Sequence, residues 1–304
     1  MKMVMNSVGD LLTKRSLSGE EVRQLNFIKN SPNLCFRKYY RQGLRSHIFE
    51  VLPTEAVLKE IKGEVIDDVR WFPRAIPKHV LRIMRTRFKS LKEVLDEIKK
   101  YVLVLKFLGP DLIATSNEFI VEYTETGRSE IVLCGLQEYV EGAFLDPWAL
   151  FGQYPLKTLY RSRFPGEKSE KKWMAKTVES ISSFVRRVRR MILDAGHIPD
   201  LAGNGNLILT KEGRVKLVDI NNIIRFDQHA SILIDDKGYP TCDKSVEVLL
   251  ILEEKILKYN GVYKDPLYSR FLAADRKRKV KKIEEQFFIN LGLVSSIQGN
   301  HETQ

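Results

Sequence analysis

The chain reads as an α+β protein in two parts: a small antiparallel sheet carrying one helix, then a mainly helical half with a short hairpin of its own. From about residue 55 to 140, short apolar runs alternate with turn residues around a single helical stretch. Residues 168–196, "KSEKKWMAKTVESISSFVRRVRRMILDAG", instead repeat apolar positions at helical period without a break. Beyond them, "NLILTKEGRVKLVDI" sets two short apolar runs either side of Glu212-Gly213, the pattern of a β-hairpin.

Taken in order, residues 1–50 show no firm period, and they read as an N-terminal extension. Within them, "SGEEVRQLNFIKN" has the marks of a short helix: Ser18 to open it and acidic residues in its first turn. The sheet half spans 51–138. There "EAVLKEIKGEVIDDVRWF" reads as a strand, a turn at Gly63 and a second strand, and "HVLRIMR" (79–85) as a third. Ser90 is placed to cap a helix over 90–109, with Leu91, Val94, Leu95 and Ile98 on its apolar face. "EFIVEY" and "EIVLCGLQEYV" follow as strands divided by "TETGRS". The helical half, 139–304, contains the long helix closed by Gly196, the hairpin, a helix over "SVEVLLILEEKILKY" and a basic helical tail from about 264.

Composition narrows the class. Hydrophobic content of 43% and charged content of 29% describe a globular chain, and no apolar run reaches the roughly 20 residues that span a bilayer. The start, "MKMVMNSVGDLLTKR", lacks the sustained apolar core of a secretory signal. Cys35, Cys134 and Cys242 are scattered and unpaired in spacing, which points away from a disulfide framework or zinc site and towards a reducing, cytoplasmic setting. A formal charge of +11 favours anionic partners, among them phosphorylated metabolites and an anionic membrane surface. The densest basic runs, "RRVRR" (186–190) and "RKRKVKK" (276–282), read as solvated helix faces. Without interleaved aromatics they make a poor nucleic-acid platform. Trp71, Trp148 and Trp173 read as packing residues.

The chemistry concentrates in "PDLAGNGNLIL" (199–209) and the strand after it. Asn206 heads one arm of the hairpin and Asp219 ends the other, so pairing brings their side-chain oxygens together, with Asp200 on the loop just upstream. Oxygen ligands suit Mg²⁺, which takes one or two protein groups and leaves room for substrate phosphates. A carboxylate beside the metal can accept a proton from an attacking hydroxyl. These are the parts of phosphoryl transfer.

In these residues the sequence resembles the protein-kinase-like superfamily, in particular its aminoglycoside and small-molecule kinase branch. The resemblance spans about residues 55–260 and implies a bilobal kinase-like fold, with ATP and Mg²⁺ as cofactors. "HIPDLAGNGNLIL" resembles the catalytic loop, making Asp200 the catalytic Asp, with His197 in structural support. "VKLVDIN" resembles the metal-binding segment, making Asn206 and Asp219 the magnesium ligands. The loop is one residue longer than the family's usual form: either a bulge at Gly203 and Gly205 restores the distances or the catalytic register is broken. Asn221 takes the place of the family's following Gly, tolerating positive φ. "LCGLQEYVEG" resembles the hinge at which backbone groups meet adenine: Glu138, Tyr139 and Val140. "HVLRI" resembles the third strand, with Arg82 where protein kinases place a phosphate-binding Lys and Val80 on the same face to pack on the base. Glu97, with Glu93 as runner-up, is expected to orient Arg82. Asp243 opens the helix that supports the catalytic loop.

Only about two dozen residues separate Asp219 from Asp243. That is little platform for a peptide, so the expected acceptor is a hydroxyl of a small molecule, sugar or lipid headgroup. The sheet half has no G-x-G-x-x-G before its third strand. A pseudokinase acting as a binding module is therefore the alternative, with a basic nucleic-acid-binding protein behind it.

Overall fold

The computed structural model describes residues 14, 16–25, 28–29, 32–40, 43, 45–125, 128–150, 155–164, 169–226 and 231–290. It divides into two compact units, Met1–Val102 with Ala114–Tyr139, and Leu103–Ile113 with Val140–Gln304.

The first unit is built on a five-stranded antiparallel sheet of β1 (Leu34–Lys38), β2 (Ser46–Pro53), β5 (His79–Met84), β6 (Ser116–Glu125) and β7 (Arg128–Glu138), in the order β1-β2-β5-β7-β6. Alternation along the strands gives the sheet two apolar faces. Phe49, Val51, Leu81, Ile83, Val132 and Cys134 pack with Leu17, Val22 and Leu25 from the region of α1 (Gly19–Arg23). On the other face Met84, Ile131 and Leu133 meet Phe88 and Val94, the latter in α3 (Leu91–Leu108). The capping box predicted at Ser18 forms: its Oγ accepts from Glu21 N at 3.2 Å and Glu21 returns a carboxylate to Ser18 N at 2.7 Å. That helix is shorter than the sequence suggests, and residues 26, 27 and 30 of the stretch lie outside those described, as does the start of the chain.

Two expectations fail in this unit. Residues 34–53 are not an extension: they supply β1 and β2, and Ile48 lies directly between Lys38's neighbour Tyr39, which donates to its carbonyl at 2.9 Å, and Arg82 in the next strand. The first strand of "EAVLKEIKGEVIDDVRWF" is a helix, α2 (Thr54–Lys62), closed by Gly63 at φ 74 with its N–H on the Lys59 carbonyl. Val57, Leu58 and Ile61 recur at helical spacing, and Gly63 serves as a helix stop where a hairpin turn was expected. The hairpin comes next, β3 (Glu64–Ile66) with β4 (Val69–Trp71). Trp71 on it is exposed, contrary to its reading as a packing residue.

The second unit centres on α5 (Glu170–Ala195), capped by Ser169 and ended at Gly196 with φ 62. Its buried stripe runs from Trp173 through Phe184 and Val188 to Ile192. Against it lies the sheet β11 (Val215–Leu217), β10 (Leu207–Leu209), β8 (Ala143–Phe144). Trp173 Nε1 donates to the Thr210 carbonyl at 3.3 Å, and Val215 N to Ser180 Oγ at 3.0 Å, so helix and hairpin are tied at two points. A second ribbon pairs β9 (His197–Pro199) with β12 (Ile223–Arg225). Also in this unit are α4 (Pro155–Arg163), α6 (Thr241–Ile251), α7 (Pro266–Ser269) and α8 (Ala274–Asn290). The run predicted as one helix after α6 changes to a π-helical turn over Leu252–Ile256. The "RRVRR" run is not simply solvated: Arg189 is salt-bridged to Glu253 and Asp265, and Arg187 donates to the Leu108 carbonyl at 2.5 Å. Among the described residues no helix is long and apolar enough to cross a membrane.

Candidate functional site

The loop from Asp200 to Asn206 leaves β9 and enters β10, and its own side chains close it. Asp200 Oδ1 accepts from Ala202 N at 2.9 Å and Gly203 N at 3.3 Å, an Asx turn. Asn206 N reaches back to the Gly203 carbonyl, and Asn206 Nδ2 donates to the Asp200 carbonyl, both at 3.0 Å. Residues 203–206 thus form a tight turn. Of the two glycines expected to allow this, only Gly205 takes positive φ, at 93. Gly203 contributes space: a Cβ there would sit 2.5–2.8 Å from the Asn206 amide.

Pairing brings the opposite arm alongside. Leu207 faces Leu217, and Val218 N donates to the Asn206 carbonyl at 2.8 Å, so Asp219 follows directly on the residue opposite Asn206. The charge of Asp219 acts on Asp200: burial first, then Asp219, pushes the Asp200 carboxyl up to about 6. Three hydrogen bonds oppose that rise, from Asn222, Ala202 and Gly203.

Asn222 was not foreseen. It is buried, its Nδ2 donates to Asp200 Oδ2 at 2.8 Å, and its carbonyl accepts from Asp200 N at 2.8 Å. In "DINN" the expectation fell on its neighbour Asn221. Asn221 does not adopt positive φ, and its Oδ1 is buried without a hydrogen-bond partner. His197 pairs with Arg225 across the ribbon, and its Nδ1 lies 2.6 Å from the Ala195 carbonyl, a structural bond.

Support for the loop differs from expectation. Asp243 is buried in a bidentate pair with Arg276 of α8, at 2.5 and 3.0 Å. The bond to the loop comes from Ser245, two residues further on, whose Oγ accepts from Leu201 N at 3.0 Å. A carboxylate facing a buried guanidinium is consumed by it, whereas a hydroxyl on the same helix remains free to meet the loop. Trp148 Nε1 holds the Ala202 carbonyl at 3.2 Å, with the Lys244 ammonium 4.1 Å from the Trp148 ring centre.

In the first unit Val80 and Arg82 share a strand face, as expected. The partner of Arg82 is neither Glu97 nor Glu93. Its Nη2 donates to Glu118 Oε1 at 2.5 Å and to Ser116 Oγ at 3.2 Å, across the intervening strand β7. Gly135 makes the crossing possible, because a Cβ there would lie 2.6 Å from Arg82 Nη2 and 2.7 Å from Glu118 Oε1. Glu97 pairs with Lys100 on its own helix, and Glu93 caps that helix through Lys89 N. Arg82 Nε and Glu118 Oε2 remain buried without partners. At the end of β7, Glu138 N and Oε2 bond the backbone of Thr115, at 2.7 and 3.3 Å. Tyr139 and Val140 are the residues at which the first unit gives way to the second.

No protein-family model matches the chain, and no curated protein matches it. Among solved structures, one titled "ROP18 kinase domain in complex with AMP-PNP and sucrose" aligns over 95% of this chain and 98% of its own, at 10% sequence identity and a TM-score of 0.37. A likeness at that level carries no argument about chemistry, which rests on the residues themselves.

Do the residues fit a metal? Among the described residues no three His, Cys, Asp or Glu converge on one point. A harder, oxygen-only set is what the loop offers. Asn206 has spent an amide N–H on the Asp200 carbonyl, which leaves Oδ1, and Asp219 brings a carboxylate that raises its neighbour. Few protein oxygens and no nitrogen or sulfur suit Mg²⁺.

Proposed function

We propose that the protein is an ATP- and Mg²⁺-dependent phosphotransferase of protein-kinase-like type, acting on a hydroxyl of a small-molecule, sugar or lipid-headgroup acceptor in the cytoplasm. The observation that carries the reading is the Asp200 carboxylate. It is fixed by three donors, placed beside Asp219, and raised to about 6. A buried carboxylate held in one orientation by fixed donors is positioned to accept a proton from a bound hydroxyl. Three donors use three of its roughly four lone-pair positions, leaving one for an acceptor hydroxyl.

The roles follow. Asp200 orients the acceptor hydroxyl and takes its proton, while Asn222 and the Ala202 and Gly203 amides keep the carboxylate aimed. Asp219 and Asn206 would hold Mg²⁺, which when bound neutralises nucleotide phosphates. Arg82, oriented by Glu118, is the first unit's cation for those phosphates, Val80 packs on the base, and backbone at Glu138, Tyr139 and Val140 meets adenine. The short stretch between Asp219 and Asp243 favours a small acceptor over a peptide.

The test is thermal stability with ATP, with and without Mg²⁺, on the wild type and Asp219→Ala. Ligands that bind only the folded state raise the melting temperature. A Mg²⁺-dependent rise that disappears in Asp219→Ala is expected. Asp200→Ala is expected to keep the nucleotide-induced rise and lose transfer, and turnover in that variant would remove Asp200 as the base.

A second reading has its own observation. Arg82 is buried, and among the described residues its guanidinium hydrogen-bonds to sheet residues, Glu118 and Ser116. A cation so engaged is a poor phosphate ligand, which favours a pseudokinase that binds a partner without transfer. No melting rise at saturating nucleotide in either protein decides for it.

A further inference from the structure

The hairpin β3–β4 is a two-stranded sheet that pairs with no other strand among the described residues. Three residues per strand do not hold themselves together in water without a cover. The register Ile66↔Val69 and Glu64↔Trp71 places Ile66, Val69 and Trp71 on one face, and all three are more than half exposed. Phe72 and Ile76 beyond the hairpin, and Leu58 and Ile61 on α2, are also exposed, Ile61 to 68%. No residue of α2 is buried. So many large apolar side chains in one short stretch mark an interaction surface.

Charge decides what covers it. Residues 54–78 carry Lys59, Lys62, Arg70, Arg74 and Lys78 against Glu55, Glu60, Glu64, Asp67 and Asp68, five of each sign, in a chain of net charge +11. Asp67 and Asp68 form the turn, at φ 50 and 59, so the tip of the hairpin is acidic. An anionic bilayer or a nucleic acid would repel that tip. A second copy would not. Two chains of +11 repel overall, and a locally balanced face lessens that repulsion: here acids at the tip are followed by Arg74 and Lys78 at the base. Arg74 lies 3.7 Å from Glu50 yet stays 66% exposed, so it can still meet another carboxylate. A two-fold contact sets each tip against the partner's base.

We propose that this face is a homodimer interface, in which two copies cover each other's Ile66, Val69 and Trp71, and Asp67 and Asp68 of one meet Arg74 and Lys78 of the other. The test is sedimentation equilibrium of the full chain over concentrations spanning about 1 μM, where a dissociation constant of that order would show as a monomer–dimer transition. Wild type is expected to dimerise. Trp71→Glu is expected to remain monomeric with an unchanged circular dichroism spectrum. Asp67→Lys with Asp68→Lys should weaken association at least tenfold, and adding Arg74→Glu with Lys78→Glu should restore it. If Trp71→Glu fails to fold, the charge-reversal set decides alone. A wild type that stays monomeric, a folded Trp71→Glu that still dimerises, or charge reversal without rescue overturns the proposal. So does co-sedimentation of the monomer with phosphatidylserine vesicles through Trp71.

Discussion

Asp200 is costly to keep as well as well placed. Burial and the Asp219 charge raise its carboxyl from the ordinary Asp value to about 6. The folded state therefore holds that proton more tightly than the unfolded chain. The associated stability is complete below about pH 4 and is lost as pH rises through about 6. At pH 7 without metal, the loss is about 2–3 kcal/mol. Asp200→Asn removes the charge and, once the Asn222 amide turns its oxygen towards the new Nδ2, keeps the contact at that position, so this variant in EDTA at pH 7 should melt several degrees higher than wild type, and the gap should close by pH 4. A melting temperature at pH 7 equal to or below that of wild type would mean that the two carboxylates do not repel as described. Asp200, Asn206 and Asp219 could be picked out in the sequence because each interrupts or ends an apolar run with an oxygen-bearing side chain. Asn222 could not: its bond to Asp200 spans 22 positions and depends on the β9–β12 register, which no local pattern encodes.

Among the elements, strand and helix exchange the role that orients Arg82. The family resemblance pointed to a Glu on the helix after the strand. The sheet order β5-β7-β6 instead places Glu118 across from Arg82, 36 positions away, with Gly135 leaving room between them. Helix α3 was correctly expected from its period, but a period says which face is apolar and not which acid meets a given base. The same limit applies to α2, whose short run of alternating residues passed for a strand until Gly63 proved to be its cap. Glu118→Ala strands a buried guanidinium and should cost about 3–5 kcal/mol. Glu97→Ala, which loses only a surface pair with Lys100, should stay within about 0.5 kcal/mol. Urea unfolding of both variants checks the contrast, and equal losses would return the orienting role to the helix. In the second unit, Ser245→Ala leaves the buried Leu201 N–H without an acceptor, at a cost of about 1–3 kcal/mol.

At the scale of the whole chain, the order of α+β parts was readable because the period changes near the middle of the sequence, but the boundaries were not. Contacts that cross long sequence gaps set them. Residues 34–53 belong to the sheet by pairing with β5, and Leu103–Ile113 belong with the second unit although they precede β6. That early segment completes the site-bearing hairpin: Leu217 N donates to the Leu112 carbonyl at 2.8 Å, and Ile113 bridges Leu217 in parallel. Arg187 of the long helix fixes it from the other side through the Leu108 carbonyl. A fragment starting at Val140 would therefore leave the Leu217 amide and the part-buried Arg187 donor to find new partners. Amide hydrogen exchange should show Leu217 protected in the full chain and exchanging at least tenfold faster in residues 140–304. Adding residues 103–113 as a separate peptide should restore part of that protection. Equal protection in the fragment would mean that the hairpin carrying Asn206 and Asp219 stands without its early strand, and that the second unit begins where the sequence first suggested.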